Sequence, residues 1–434
     1  MSEDADVDFD VIVVGAGVAG TVCAHRLARQ GHEVLLIDRG AEPGSKNLSG
    51  GVFYCRVMEQ EFPGFAEAAP IERRVTRNCV SFLNESSFVN VDYWDERLAQ
   101  PANAVTVLRA RLDAWLAEQC EAEGVTVMPG FRVDGLLTED GAVVGIRAGD
   151  EELRCRVVIA ADGVNSFLAR SLGMRAPEPH ANLAVGVKSV VSLPASVIEE
   201  RFHLREGEGA AYAIVGDCTQ GVAGGGFLYT NEASLSLGVV LRLDDLIASG
   251  LSSSDIHDRF LAHPAVEPLV RGGELLEYGC HLTIENGPSM ARGELSRPGL
   301  LLIGDAAGLT LNTGLTIRGM DLAAGSALAA ATVVDKALGE DDVSAASMAR
   351  YRDELGAGFV GEDLRTYGRA PAFMENPRMY RSYGPLLADV LHGMFDLDLT
   401  PRRHILSVAR GALAGSPVRL RDLVRDGVSA LRAL

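Results

Sequence analysis

A glycine-rich turn near the amino terminus stands between a strand and a helix. Residues 10–14 (DVIVV) form a continuous, mostly β-branched run, and GAGVAG follows at 15–20. The amphipathic stretch 21–30 stops before Gly31, and a second apolar run ends on Asp38. This order predicts a βαβ unit whose two strands pair in parallel within a buried sheet, and parallel pairing makes the crossover right-handed.

The spacing of the glycines gives this turn the chemistry of a dinucleotide site. Gly15, Gly17 and Gly20 follow GxGxxG, which permits a tight turn, close approach of a pyrophosphate and close packing of helix on strand. The helix N-terminus adds N–H donors and a positive dipole. Asp38 can accept hydrogen bonds from ribose hydroxyls. Because strand, helix and terminal acid accompany the glycines, we predict dinucleotide binding rather than a chance glycine turn.

Two acidic turns follow later apolar runs. Asp162-Gly163 comes after a run that ends near residue 160, and Gly304-Asp305 comes after LLLI. Either one alone is ordinary turn chemistry. Ligands of such α/β sheets bind beyond the carboxyl ends of the strands, so both turns are expected to border the same site.

The remaining segments divide by pattern. Residues 105–120 are predicted to be helical. Residues 180–285 contain several β-like segments and one helix near 254–262, which predicts an antiparallel sheet inserted into the first domain. The buried-strand pattern returns at 299–308, an Ala-rich helix follows, and 346–434 are predicted to be mostly helical.

Charge and cysteine content exclude several classes of protein. The net charge of −19 argues against nucleic-acid binding. Residues 401–434 differ, with seven arginines and two aspartates, so this tail is either a surface-binding element or a solvated helix face. The seven cysteines are scattered without a CxxC pair, which argues against an internal zinc or iron–sulfur site and fits a reducing cytosol.

The apolar segments are short. The longest, 322–334, is too short to span a bilayer, and the acidic start MSEDADVDFD has no apolar signal core. Any contact with a membrane is therefore expected from one side.

The order of these motifs resembles one flavoprotein superfamily. GxGxxG, an arginine on a helix (VLRARLDAWL, 107–116), ADG at 161–163 and GDAAG at 304–308 are similar in order to aromatic hydroxylases, geranylgeranyl reductases and electron-transfer-flavoprotein dehydrogenases. The resemblance covers residues 8–170 and 295–330. It implies FAD as cofactor and an α/β fold, with a Rossmann-like FAD-binding domain, an inserted antiparallel-sheet substrate domain and a helical C-terminal region. The expected bounds are 1–178 and 291–345 for the FAD-binding domain, 179–290 for the inserted domain, and 346–434 for the C-terminal region.

Two further stretches narrow the resemblance. GSKNLSGG (44–51) and GDAAGLTLNTGLTIRGMDLA (304–323) look like the FixC branch of the electron-transfer-flavoprotein:quinone oxidoreductases, which pass electrons from that flavoprotein towards quinone. The larger mitochondrial-type enzymes carry four C-terminal cysteines for a [4Fe–4S] centre, which this chain lacks. FixC-type proteins share that absence and are expected to work with a separate ferredoxin-like subunit, FixX. The resemblance thus implies four partners: the flavoprotein, the iron–sulfur subunit, quinone and the membrane surface. It also implies a cytoplasmic protein held peripherally on the cytoplasmic membrane.

The same resemblance assigns residues to the FAD site. The three motif glycines would face the pyrophosphate, and Asp38 (more often Glu in the family) would hold the adenosine ribose. Arg109 would reach the phosphates or the ribityl chain, Asp162 would lie near the cofactor, and Asp305 would bond the ribityl and phosphate region. The full set of expected cofactor-binding residues is Gly15, Gly17, Ala19, Gly20, Asp38, Arg39, Lys46, Asn47, Ser49, Gly50, Gly51, Arg109, Asp162, Gly163, Gly304, Asp305, Asn312, Gly314 and Leu315.

The resemblance also places two segments beside the flavin ring. Ser49, Gly50 and Gly51 would lie against the isoalloxazine, with Lys46 and Asn47 holding the loop or the flavin edge; a plain surface loop is the alternative. A helix beginning near residue 314 would point its N-terminus at the pyrimidine edge, where its dipole favours a reduced anion.

No acid, base, nucleophile or metal ligand is predicted, because a flavin performs the redox chemistry itself. Methionines and aromatic residues at 373–395 either line a quinone entrance or pack a helical core. The alternative functions are a geranylgeranyl reductase-like prenyl reductase, and a flavin subunit without turnover of its own. An aromatic hydroxylase is disfavoured, because those usually have a proline shortly after the GD turn, where this chain has LTLNTG.

Overall fold

The fold comes from a computed structural model that describes residues 7–45 and 50–434. Three expected site residues, Lys46, Asn47 and Ser49, lie outside the described residues. The strands are β1 (Phe9–Val14), β2 (Val34–Asp38), β3 (Gly51–Phe53), β4 (Ile71–Asn84), β5 (Ser87–Trp94), β6 (Val105–Val107), β7 (Thr126–Pro129), β8 (Gly135–Glu139), β9 (Ala142–Ala148), β10 (Glu151–Ala160), β11 (Leu183–Ser192), β12 (Glu208–Gly216), β13 (Gly224–Thr230), β14 (Ser234–Arg242), β15 (Glu274–Ile284), β16 (Ser296–Arg297), β17 (Leu300–Leu302), β18 (Leu311–Asn312) and β19 (Ile317–Arg318).

The helices follow the same chain order. They are α1 (Val18–Arg29), α2 (Phe65–Ala68), α3 (Arg109–Ala122), α4 (Phe167–Ser171), α5 (Ala195–Phe202), α6 (Leu243–Ser249), α7 (Ser253–Ala262), α8 (Glu267–Val270), α9 (Gly287–Met290), α10 (Met320–Gly339), α11 (Ala345–Ala357), α12 (Phe359–Thr366), α13 (Ala370–Met374), α14 (Pro377–Arg381), α15 (Tyr383–Phe395), α16 (Ile405–Gly415) and α17 (Leu420–Ala433).

The first sheet carries the glycine motif. Its order is β16-β17-β10-β1-β2-β7, and β1 pairs in parallel with both β2 and β10. Val11, Ile12 and Val13 of β1 are completely buried, as expected for a strand covered on both faces. Helix α1 packs against α3 and α10, and the β8–β9 hairpin continues from β10. The predicted Rossmann-like α/β class is confirmed.

The second sheet has nine strands. Its order is β15-β11-β14-β13-β12-β4-β6-β3, with β5 paired to β4. It is not purely antiparallel, because β4 and β12 pair in parallel. Strands within 51–107 belong to it together with strands of 183–284, so the chain crosses between the two sheets more than once. The division at 178, 290 and 345 stays a prediction.

Two local predictions are corrected. Residues 105–120 are not one helix: β6 is a buried strand paired with β3 and β4, and α3 begins only at Arg109. The helix expected near Gly314 begins at Met320 instead. In its place Asn312 accepts a 2.8 Å hydrogen bond from the backbone N–H of Gly314, forming the turn between β18 and β19. Asparagine side chains favour such turns because they bond their own backbone two residues on.

Helix α10 is the one element among the described residues that is long and apolar enough to cross a bilayer. Its most apolar window has a mean hydropathy of 1.3, and 61% of that window is buried. It packs against α1 and α11 in the core, which accounts for its composition without a membrane.

Six of the seven cysteines are buried, and Cys280 is exposed. Burial raises the pKa of the Cys55 thiol to about 11, so this thiol is protonated at neutral pH. Within 7–45 and 50–434 there is no cluster of side chains that could hold a metal ion.

Candidate functional site

The glycine turn between β1 and α1 is tight enough to exclude side chains. A Cβ on Gly20 would lie 1.8 Å from the carbonyl oxygen of Gly15, and one on Gly15 would lie 2.3 Å from that of Ala161. Gly17 is the N-cap of α1, where no side chain caps the helix and no acid lies in its first turn. The first N–H groups of α1 therefore keep their capacity to bind an anion.

Asp38 lies beside this turn at the end of β2. Its Oδ2 accepts a 2.8 Å bond from the N–H of Ala16, and its Oδ1 accepts a 2.6 Å bond from the N–H of Gly40. A carboxylate has about four acceptor positions, so both oxygens can still accept from ribose hydroxyls. The neighbouring Arg39 is exposed.

Arg109 brings a cation to the glycine turn from the start of α3. Its Nη2 lies 3.5 Å from where a Cβ on Gly17 would be. Nε and Nη2 each donate a 2.8 Å hydrogen bond to the buried carboxylate of Asp113, which fixes the guanidinium plane. Burial raises the pKa of Asp305, and the nearby charge of Arg109 opposes that rise. The structure thus brings Arg109, Asp305 and the glycine turn together.

The two acidic turns pack on the glycine turn and on each other. Asp162 Oδ2 accepts a 3.0 Å bond from the N–H of Leu168, while its buried Oδ1 has no hydrogen-bond partner. Burial raises the pKa of this carboxyl group. Ser166 Oγ lies 3.3 Å from the carbonyl oxygen of Ala306 and joins the two turns. An unsatisfied buried oxygen at this place marks a position for a donor from a ligand.

The predicted glycines of these turns differ in their surroundings. A Cβ on Gly304 would lie 2.9 Å from the Cβ of Ala19, so this glycine permits close contact of the turn with α1. Gly163 has a φ of +76° and open space where a Cβ would be, so its requirement is conformational.

Gly50 and Gly51 lie at the start of β3, an edge strand of the second sheet. A Cβ on Gly50 would lie 2.1 Å from Oγ and 2.4 Å from Cβ of Ser236 on β14. A Cβ on Gly51 would lie 3.1 Å from Cε of Met320, the first residue of α10. The start of α10 therefore meets this segment although the helix begins six residues later than expected. Its first turn carries Asp321, whose Oδ2 accepts a 2.6 Å bond from Nε of Arg318.

The turn at 312–315 packs against the start of the C-terminal region. A Cβ on Gly314 would lie 2.8 Å from Sδ of Met374. Leu315 is exposed, and Asn312 Nδ2 lies 3.5 Å from Glu285 Oε2. Of the segment 373–395, Phe373 and Tyr380 are buried, whereas α15 has Gly384 as its buried residue.

One face of the second sheet was missed by the sequence analysis. The strand register puts Ser236, which meets Gly50, on the same face as Lys188 of β11, Phe227 of β13 and His281 of β15. Burial lowers the pKa of Lys188 to about 8 and that of His281 to about 4. The only sequence signal was a lysine in the otherwise apolar run AVGVKSVVSL.

These residues fit FAD. An uncapped helix N-terminus with Arg109 beside it suits a pyrophosphate, and Asp38 suits a ribose. The segment without side chains at Gly50–Gly51 borders a sheet face that a flat ring can approach. The unpartnered oxygen of Asp162 adds a polar contact that the protein itself leaves unused.

Family models and known proteins match this chain. The model of the FAD binding domain matches residues 8–209, and that of the ETF-QO/FixC family C-terminal domain matches residues 370–434. The chain is 46% identical to the probable electron transfer flavoprotein-quinone oxidoreductase YdiS of Escherichia coli K12, over 99% of this chain and all of that one. It is 43% identical to Protein FixC of the same strain, over all of both chains.

Among solved structures, a geranylgeranyl bacteriochlorophyll reductase-like protein of Thermoplasma acidophilum is similar at a TM-score of 0.68. The sequences are 21% identical, and the superposition covers 96% of this chain and 99% of that one. At this identity the likeness concerns the fold alone.

Proposed function

This chain belongs to the ETF-QO/FixC family, and from that premise we propose that it takes electrons from a reduced electron-transfer flavoprotein and passes them to quinone. It is an FAD-dependent oxidoreductase. The observation that carries the proposal is the likeness to YdiS and FixC over the full length of both chains, which includes the C-terminal domain as well as the cofactor domain. Bound FAD supplies the electron-accepting and electron-donating chemistry.

The residues of the cleft hold and orient the cofactor. In this proposal the N–H groups of α1 and the Arg109 guanidinium bind the pyrophosphate, and Asp38 accepts from the adenosine ribose. Asp305 and the free oxygen of Asp162 accept from the ribityl region. The Gly50–Gly51 segment would lie beside the ring, and the absence of side chains there lets its backbone pack closely on Ser236 and Met320.

We place the protein at the cytoplasmic face of the membrane, held by its C-terminal helices. Several large apolar side chains in this region are exposed: Phe395, Leu397, Leu399, Ile405, Leu406, Leu420, Val424, Val428, Leu431 and Leu434. The same region carries seven arginines. Of its two acids, Asp426 is buried and paired with Arg378, so little negative charge remains at the surface.

The charges and the apolar side chains support reversible docking. Each basic residue near an anionic surface contributes about 1 kcal/mol. Buried apolar area adds to this when side chains enter the interface between headgroups and acyl chains. Binding to vesicles that contain anionic phosphatidylglycerol, and much weaker binding to neutral phosphatidylcholine vesicles, is the expected result. The double substitution Leu420→Ser and Leu431→Ser should weaken it, whereas Leu276→Ser, at a leucine of β15 about as exposed as Leu420, should not.

We further propose a separate ferredoxin-like iron–sulfur subunit, FixX, as a partner. The support is chemical: the cysteines of this chain are scattered, and six of the seven are buried, so the chain offers no cysteine set for an iron–sulfur cluster of its own. Co-expression and purification through this chain should recover the subunit in a defined stoichiometry.

The proposed electron donor is tested anaerobically with the purified FAD-loaded protein. Reduced electron-transfer flavoprotein should bleach its flavin absorbance rapidly, and NADPH alone should not. A quinone analogue should then restore the absorbance. Bleaching by NADPH alone would instead favour a reductase of the geranylgeranyl reductase type and would remove the proposed donor.

A further inference from the structure

Two glycines flank Lys188 in the face of the second sheet that borders the cofactor cleft. Its cross-strand partner on β14 is Gly238, and its partner on β15 is Gly279. Neither neighbour has a side chain to cover the lysine. The ring of Phe227, whose centroid lies 5.7 Å from Nζ, forms the floor on one side. Lys188 is one of three lysines in the chain, and at this position it is half-buried.

Two observations direct that amine towards the cofactor. Ser236 shares this face and lies against Gly50, so the Gly50–Gly51 segment covers the same surface. The charge of Arg109, which reaches the glycine turn, influences the pKa of both Lys188 and His281. Lys188 is only partly buried, although nearby protein desolvates its amine. This places it at the wall of a cleft rather than within the core.

The charges that act on Lys188 are of both signs. Lys188 is influenced by Arg109 from α3 and by Glu277 from β15, and His281 of β15 lies in range of both basic groups. Burial is the main cause that lowers the pKa of Lys188 to about 8; Arg109 lowers it further and Glu277 opposes the shift. The charged form of this partly buried amine is disfavoured by burial, so it is stabilised when a negative charge is placed beside it.

We propose that Lys188 stabilises the negative charge that two-electron reduction adds to bound FAD, and so raises the reduction potential of the cofactor. Two electrons and one proton add one negative charge to the ring system. When the Lys188 amine is charged, it neutralises that charge; when it is neutral, Nζ takes up a second proton, so that two electrons arrive with two protons. The proposal depends on FAD and not on which protein donates the electrons or which molecule accepts them.

The test is a redox titration of the FAD-loaded protein with dithionite and mediator dyes at pH 7. Lys188→Met should lower the preference for reduced over oxidised FAD by about tenfold, which is about 30 mV for a two-electron couple. Lys188→Arg keeps the charge and should stay close to the wild-type potential. Lys336→Met makes the same substitution at an exposed position near the C-terminal end of α10 and should change nothing.

The pH dependence adds a readout that a merely structural role would not move. Below pH about 8 the amine is charged before and after reduction, so it contributes no proton. Above that pH, reduction should take up one additional proton in the wild type, making its potential fall more steeply with pH. Lys188→Met should lack this additional slope, so the two curves should converge at high pH.

Several results would overturn the proposal. Equal reduction potentials for wild type and Lys188→Met would show that the lysine charge has no effect. An equal fall of the reduction potential in Lys188→Arg and Lys188→Met would indicate lost packing instead. If Lys188→Met fails to retain FAD, the wild-type curve alone decides: a break near pH 8 supports the proposal and a single slope contradicts it. The titration uses neither electron-transfer flavoprotein nor quinone, so its outcome is separate from that of the proposed function.

Discussion

The substitution Gly50→Ala measures how closely the Gly50–Gly51 segment lies against the second sheet. Gly50 has a φ of +87°, and holding alanine there costs about 1–3 kcal/mol. The new Cβ would also lie 2.4 Å from the Cβ of Ser236, which no side-chain rotation relieves. Its Oγ is held as well, because it accepts a 2.8 Å hydrogen bond from Asn231. Overpacking of this kind adds about 1–3 kcal/mol.

A matched control separates the two costs. Gly64 has a similar φ of +78° and no atom within 4 Å of its Cβ position, so Gly64→Ala carries the conformational cost alone. The free energy of unfolding from urea titration, at a fixed excess of FAD, should fall by about 1–3 kcal/mol for Gly64→Ala. For Gly50→Ala the fall should be about 2–6 kcal/mol, with faster loss of FAD.

The steric part should be recoverable by a second substitution. Ser236→Gly removes both atoms that the new methyl group meets, so the double variant should regain about 1–3 kcal/mol relative to Gly50→Ala. The conformational part should remain. Equal costs for Gly50→Ala and Gly64→Ala, together with strict additivity of Gly50→Ala and Ser236→Gly, would show that the close contact does not exist.

Three further predictions concern buried charges. Arg109→Met should cost about 3–5 kcal/mol of unfolding free energy, because it breaks a buried ion pair with Asp113, and should weaken FAD binding. Adding Asp113→Leu should recover the unfolding free energy, whereas the FAD affinity measured by fluorescence titration should stay weak. Recovery of both the unfolding free energy and the FAD affinity would contradict the role of Arg109. Burial raises the folded-state pKa of Asp305, so ionisation of this carboxyl group destabilises the fold as the pH rises. Without added FAD, the Tm of Asp305→Asn should therefore fall less between pH 4 and 7 than the Tm of the wild type. Hydrogen bonds from Arg378 hold the pKa of Asp426 below its usual range, so that carboxylate stabilises the docking of α17 above pH about 4 and loses this effect on acidification. Asp426→Ala should therefore expose 420–434 to protease already at pH 7, whereas unchanged cleavage would rule out this anchor.

The features that could be predicted from the sequence depend on residues that are close together in the chain. The glycine turn, the strand before it and Asp38 after it lie within thirty residues, and their order alone determines the βαβ unit. Asn312-Thr-Gly314 carries turn chemistry too, but the family resemblance places the helix start near residue 314. In the structure Asn312 bonds the backbone there and α10 begins at Met320.

Features set by distant pairing could not be predicted. Strand β4 joins the second sheet through parallel pairing with β12, and a parallel pair has no hairpin turn to mark it. The surroundings of Lys188 depend on Gly238 and Gly279, which a strand register far along the chain brings beside it. A lysine in an apolar run gave no indication of which face it would occupy.

The crossing of the chain between the two sheets also has a consequence for synthesis on the ribosome. Strand β1 finds one neighbour, β2, almost at once, but its other neighbour, β10, ends at residue 160 and is itself completed by β17 at 300–302. At roughly 5–20 residues per second, the open edge of β1 waits on the order of ten seconds or more for β10. During that time Val11, Ile12 and Val13 present an apolar, unpaired strand edge, the kind of surface that aggregates. We therefore expect the nascent chain to need protection of this edge, and it can complete the parallel part of its first sheet only after about two-thirds of its length has emerged.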